Sequence, residues 1–332
     1  MWRRIQKFLA SFIPALVLLV YIGVMVCLLN RWDSMVAVTL IPFWAWAAAG
    51  MGVCLLSWIL FRGIAAPVVF TIWLVTAIGI SEETHGLVRE LIQSVDPKTV
   101  PADAEILRVV SFHSTDEVTA YDEIAELQPD IVLLQGAARN EEILEFSDRL
   151  FGMDGAYLSN GRNAILAKGE FINTQEAEEG EAIHARLRLK NGFLIDITSL
   201  QLPPCIPTRS IWKPKTWQHL TERRKENRSQ LRLFLGENQI TRSNTARLVG
   251  GGFNTPAGDD IFRPLESNQM SDAFKKAGEG WGNTYRAKYP ILRLDQIWVS
   301  DNLLPVKTTT ATLPGSDRRA VLSELIISAS EE

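Results

Sequence analysis

The chain has 332 residues, 47% of them hydrophobic, with a net charge of −4. That average hides two unlike parts: Arg3, Arg4, Lys7, Arg31 and Arg62 against the single acid Asp33 give residues 1–80 a charge of +4, leaving 29 basic and 37 acidic side chains, net −8, in residues 81–332. An acidic domain repels polyanions at long range, so nonspecific nucleic-acid binding, which works by Lys and Arg displacing counterions, is disfavoured. Of the three cysteines only Cys205 lies in the polar part, which excludes an internal disulfide there, and no Cys-x-x-Cys spacing suggests a metal site.

Three uncharged apolar runs come first: residues 9–29, 35–61 and 64–80, of 21, 27 and 17 residues. A helix needs about 20 apolar residues to cross a ~30 Å hydrocarbon core, so the sequence predicts three transmembrane helices in a membrane region of residues 1–80. A cleaved signal peptide suits the first run poorly. Its apolar core exceeds the ~7–15 residues of such signals, and Cys27-Leu28-Leu29 offers no small-residue cleavage site. Arg3, Arg4 and Lys7 before the first run, and Arg62 between the second and third, favour a cytoplasmic N-terminus by the positive-inside bias. Three crossings then deliver residue 81 onward to the extracytoplasmic side. If the third run only lies in the interface, the polar domain stays cytoplasmic, so this expectation depends on the shortest span.

Residues 81–93 carry Leu87, Leu91 and Ile92 at helical spacing, predicting a juxtamembrane helix. A linker with two prolines at residues 96–104 completes the segment 81–104. Strands and helices then alternate over residues 105–332. Strands are predicted at residues 106–112, 131–135 and 164–167, a hairpin at 182–189 and 193–200 around Lys190-Asn191-Gly192, and strands at 247–250, 293–299, 306–313 and 321–327. Helices are predicted at 121–127, 141–150 and 217–235. Hairpins mixed with helices indicate an α/β sandwich of two packed sheets rather than a doubly wound parallel sheet.

These segments, in this order, carry a family resemblance. Leu107-Arg108-Val109-Val110-Ser111-Phe112-His113 resembles an opening strand that normally ends in Asn. Leu127-Gln128-Pro129-Asp130-Ile131-Val132-Leu133-Leu134-Gln135-Gly136 resembles a signature that normally ends Gln-Glu. Ile197-Thr198-Ser199-Leu200 stands where Thr-His-Leu is usual, and Gly250-Gly251-Gly252-Phe253-Asn254-Thr255-Pro256 matches Gly-Asp-Phe-Asn-Thr-Pro except at the Asp. Gly282-Asn283-Thr284-Tyr285, Arg293-Leu294-Asp295-Gln296-Ile297 and Ser316-Asp317-Arg318-Arg319-Ala320-Val321 resemble the closing segments, the last standing for Ser-Asp-His-Arg-Pro-Val. The chain thus resembles the endonuclease/exonuclease/phosphatase family, several bacterial members of which also carry N-terminal membrane spans. The resemblance implies a DNase I-like two-sheet sandwich behind a transmembrane region.

It also implies a chemistry: a divalent metal, usually magnesium, held by a carboxylate, water oriented by an Asp, phosphate steadied by an Asn, and charge stabilised by an Asp-paired His. This sequence replaces most of that set. The family's first Asn is His113, its metal Glu is Gly136, its middle His is Ser199, its water-orienting Asp is Gly252 and its final His is Arg318. Asn254, Asp295 and Asp317 survive.

Glycine can neither ligate a metal nor accept a proton, so the expectation is a pseudoenzyme with no cofactor, acting as a membrane-tethered scaffold or binding domain. The substitutions also delete two carboxylates and place Arg318 where a cation would sit, and Arg318, with His113 and Asn254, is a candidate site for an anionic or phosphate-bearing ligand. The alternative class is an active phosphodiesterase, phosphatase or nuclease with an altered site, which would require magnesium. A relocated site would draw on Asp103, Asp116, His184 or Asp259. The surviving polar residues also suit plain loop-holding roles. The basic stretch Arg223-Arg224-Lys225, with Arg228 and Arg232, reads as a solvated helix face or as a contact for anionic lipid headgroups. Trp212 and Trp217 read as core packing or as an interfacial anchor. No protein partner can be named from these residues.

Overall fold

The computed structural model describes residues 2–95, 105–114, 119–136, 140–176, 181–237 and 245–328. The apolar N-terminal region forms α1 (Trp2–Asn30), α2 (Val36–Thr39), α3 (Phe43–Phe61) and α4 (Ala65–Ile80), and the juxtamembrane helix is α5 (Glu82–Val95). α1 and α3 are each long and apolar enough to cross a membrane, while α4 and α5 together reach that length only as a pair bent by 68°. The expected 27-residue run therefore divides. Pro42, with no N–H to give, sits at the N-cap of α3, and Val36, Ala37 and Leu40 ahead of it are fully buried against Cys205, Ile211 and Leu220 of the polar domain. Those residues are apolar because they dock on protein, not because they face lipid.

The expected linker at residues 96–104 lies outside the described residues. Beyond it come β1 (Ile106–His113), α6 (Thr119–Glu126), β2 (Ile131–Gln135), α7 (Asn140–Phe151), β3 (Gly155–Ser159), β4 (Asn163–Lys168), β5 (Glu170–Glu176), β6 (Ala182–Arg188) and β7 (Leu194–Gln201). Then follow α8 (Pro214–Glu237), β8 (Ala246–Gly252), α9 (Arg263–Ser267), β9 (Met270–Asp272), α10 (Ala273–Ala277), β10 (Asp295–Ser300), β11 (Leu303–Thr312) and β12 (Arg319–Ile327). They build two six-stranded sheets, ordered β11-β12-β1-β2-β4-β3 and β5-β6-β7-β8-β10-β9. The pairs β1/β2 and β7/β8 are parallel and central, and the other pairings are antiparallel.

Side-chain alternation explains the layering. Val109, Ile131, Leu133 and Ile165 of one sheet meet Ile183, Ile197, Leu248 and Ile297 of the other in the central core. Their neighbours Val110, Phe112, Val132 and Leu134 point outward, where Tyr121 and Ile124 of α6 and Ile143 and Phe146 of α7 cover them. On the far face, Leu231 and Leu235 of α8 cover Leu200, Val249 and Trp298. β3, β5 and β9 are additions to the predicted set. All three are sheet-end strands; β3 and β5 carry polar or half-buried residues and β9 has three residues, too few for the alternation by which strands are read.

Candidate functional site

The strand ends at one end of the sandwich bring the family positions together. His113 closes β1 and pairs in register with Gln135 at the end of β2, which in turn faces Asn163 of β4. Across the sandwich, Gly252 of β8 is opposite both Gln201 of β7 and Asp295 of β10.

Arg318 fills the centre. Its Nη1 donates to Asp295 Oδ1 at 2.9 Å and its Nη2 to Asn254 Oδ1 at 2.5 Å, all three side chains being buried. Asn254, in the left-handed region at φ 53°, turns its Nδ2 onto the Leu202 carbonyl at 2.5 Å. Thr284 completes the cluster: its hydroxyl donates to Asp295 Oδ2 at 2.6 Å and accepts from the Leu294 and Asp295 amides. The guanidinium that the sequence offered as a free anion fork is thus already engaged on two of its three nitrogens. Nε is buried without a hydrogen-bond partner, and Arg318 is one of the residues lining a cavity of about 330 Å³, with Arg162, Asn163, Glu181, Gln201, Pro203 and Pro204 among others.

The two glycines that the resemblance sets at carboxylate positions differ in kind. A Cβ on Gly252 would lie 3.4 Å from Arg318 Nη1 and from Asp295 Oδ1, ordinary contact with the cluster. Gly136 has φ 62°, and a Cβ there would lie 2.3 Å from the Ser114 carbonyl oxygen. The backbone at Gly136 has taken a path that no side chain can share without moving.

His113 lies beside this cluster, its ring Cε1 3.9 Å from where a Gly136 Cβ would be, and its Nδ1 is buried with no partner. Burial, then the nearby positive charge of Arg318, hold its pKa below the usual histidine value. Ser199 accepts from Gln135 Nε2 at 3.3 Å, a neutral pair in the core. Asp317 does not join the centre. Its carboxylate is exposed at the rim, 3.9 Å from Arg318 Nε. Among the described residues no three His, Cys, Asp or Glu side chains gather as a metal ion would require.

The remaining candidates lie elsewhere. His184 contacts Thr198 Oγ1 and Asp196 on β6 and β7, Asp259 is paired to Arg224, and Asp103 and Asp116 lie outside the described residues. Thr284 and Gln135 were not singled out from sequence as functional. Thr284 stands in the quoted Gly-Asn-Thr-Tyr segment, and Gln135 is the one polar residue of a fully buried strand.

Two mixed sheets packed face to face, helices outside and a polar cluster at one end of the strands, define a DNase I-like fold. An endonuclease/exonuclease/phosphatase from Bacteroides vulgatus is similar at a TM-score of 0.53 and 15% identity, with 67% of this chain and 99% of that chain covered. A family protein from Bacteroides thetaiotaomicron gives 0.50 at 13% identity, with 68% and 100% covered. D. rerio TDP2, solved with a single-strand DNA product, gives 0.50 at 12% identity, with 67% and 99% covered. No curated protein shows a sequence match. The profile of the Endonuclease/Exonuclease/phosphatase family matches residues 115–318, and the chain belongs to that family.

Proposed function

We propose that this chain is a membrane-anchored, non-catalytic member of its family, a scaffold or binding domain on a hydrolase fold. One observation carries the reading: Arg318 stands as a built-in cation between Asp295 and Asn254. The residues present do not fit a catalytic metal. Asp295 is committed to Arg318 and Thr284, and Gly136 offers neither a carboxylate nor room for one. The full chain, tested with magnesium or manganese on bis(p-nitrophenyl) phosphate and p-nitrophenyl phosphate, is expected to show no metal-dependent hydrolysis. Turnover that chelation stops and Asn254→Ala or Asp295→Ala abolishes would establish the working enzyme instead.

A second reading rests on Arg318, a cation among the residues lining the cavity, whose Nε makes no hydrogen bond and lies 3.9 Å from the rim carboxylate of Asp317. It suits a small anionic or phosphate-bearing ligand, and inorganic phosphate titrated against the full chain and its Arg318→Met variant tests it.

The reading of topology is three crossings, with the polar domain opposite the N-terminus and outside the cytoplasm. A Cβ on Gly63 would lie 2.9 Å from Ala10, so the α3–α4 turn, with Arg62, abuts the N-terminal part of α1 near Arg3, Arg4 and Lys7. At the other end, residues 31–40 and α5 both dock on the polar domain. α4 spans ~24 Å at ~1.5 Å per residue, short of the ~30 Å core by a mismatch that local thinning accommodates.

A further inference from the structure

The helix α5 is amphipathic in an unusual sense, because its polar side faces protein. Arg89 donates Nη1 to the Phe274 and Gly278 carbonyls, at 3.2 and 3.0 Å, and Nη2 to the Lys275 carbonyl at 2.8 Å, so it caps the C-terminal end of α10. Glu82 pairs with Arg293, itself held by Asp272 at 2.6 Å. Gly86 packs so closely that a Cβ would lie 2.3 Å from the Gly280 carbonyl oxygen, which rules out rotating the helix. Leu87, Val88, Leu91 and Ile92 are left on the opposite side, 45%, 46%, 68% and 56% exposed.

We propose that this face is a lipid-binding surface seated in the headgroup–acyl boundary of the bilayer. The proposal rests on α4 crossing the membrane. α5 leaves α4 after the single residue Ser81 at a bend of 68°, so it runs closer to the membrane plane than to the normal. Val75, Ile78 and Ile80 of the preceding α4 are exposed as well. The domain occupies the polar side, so the apolar side turns away from it. Trp281, next to Gly280, meets Trp44 at the start of α3 with ring centroids 5.8 Å apart, which sets this edge at the depth where tryptophans anchor. A helix with an apolar face a few residues wide gains by lying in that layer rather than in water.

The test uses the full chain in phosphatidylcholine vesicles, labelled at Leu91→Cys with a polarity-sensitive thiol dye, with Leu87→Cys as a second site. The unsubstituted chain sets the background from Cys27, Cys54 and Cys205, and Met153→Cys is the water-exposed control. Loss of fluorescence with lipid spin-labelled near the headgroup, and little loss with iodide, supports the proposal. Iodide quenching as strong as at Met153→Cys overturns it, and so does protection from both quenchers, which means protein covers the face. A separate arm compares an impermeant quencher at Arg3→Cys and Met153→Cys. Access from opposite sides with no lipid contact at Leu91→Cys leaves the three-crossing reading standing and removes the lipid surface. Access from the same side removes the three-crossing reading, and lipid quenching at Leu91→Cys then still supports the surface itself.

Discussion

At the residue scale, the centre of the site is an ion pair with its hydrogen bonds satisfied on the carboxylate side. Removing one partner of such a pair leaves a buried charge, which costs about 3–5 kcal/mol, more than the pair itself contributes. Arg318→Ala is therefore expected to lower unfolding stability by about that amount, and adding Asp295→Asn to recover part of it, read by denaturant unfolding of the single and double variants. Gly136→Glu is expected to destabilise by roughly 1–3 kcal/mol from backbone strain alone and to restore no metal-dependent turnover, because the side chain collides with the Ser114 carbonyl before it reaches the cluster. Gly252→Ala is the tolerated control. His113 supplies a pH signature. Its folded pKa lies below the ordinary value near ~6.5, so an unfolded chain takes up a proton there that the folded chain refuses. That contribution is complete above ~6.5 and is lost as pH falls from there toward the folded pKa. His184, also lowered by burial, adds in the same sense. The fall in Tm between neutral and mildly acidic pH is expected to be shallower in His113→Gln, though not flat.

At the scale of elements, α8 holds the chain's two halves together. Its basic stretch is neither a free solvated face nor a lipid contact along its whole length. Arg224 is fully buried, with Nε on Asp259 at 3.0 and 3.2 Å, Nη1 on the Trp32 carbonyl at 3.1 Å and Nη2 on Thr39 Oγ1 at 2.5 Å. Arg228 binds Asp33 at 2.7 and 3.0 Å and also Asp260, and Trp217 Nε1 donates to the Ser34 carbonyl at 2.8 Å. Trp212 is half exposed and packs edge-on to Trp46 and Trp217. This docking encloses Cys205, and burial pushes its thiol up to about 12. With so little thiolate at neutral pH, Cys205 is expected to resist an impermeant maleimide in the native full chain. Arg224→Gln, which weakens the clamp on residues 32–39, is expected to speed its labelling, with Cys205→Ser as background. Equal rates would mean the segment does not shield the thiol.

For the whole molecule, the membrane region is part of the domain's packing rather than a tether. A fragment of residues 97–332 leaves Ile211, Leu220 and Cys205 without Val36, Ala37 and Leu40, Arg228 without Asp33, and Arg293 without Glu82. It is expected to unfold at a lower temperature than the full chain in the same detergent, at ~2–4 °C for each kcal/mol lost, and thermal unfolding of both measures this. Coincident transitions would show the docking to be energetically idle.

The sequence by itself determined the family and the two-sheet sandwich. Core strands such as β2 announce themselves by unbroken apolar runs, and motif order survives where single residues do not. It also determined that residues 1–80 are apolar enough for a membrane, since hydropathy is a local property. Only the tertiary structure decided that residues 36–40 serve the domain instead of the bilayer, because burial against protein and against lipid select the same side chains. It alone joined Arg318 to Asp295, 23 positions earlier, and Asn254, 64 positions earlier, and showed Gly136 to be closed to a side chain. A pairing across two sheets and a backbone torsion are set by packing at a distance, and neither leaves a periodic trace along the chain.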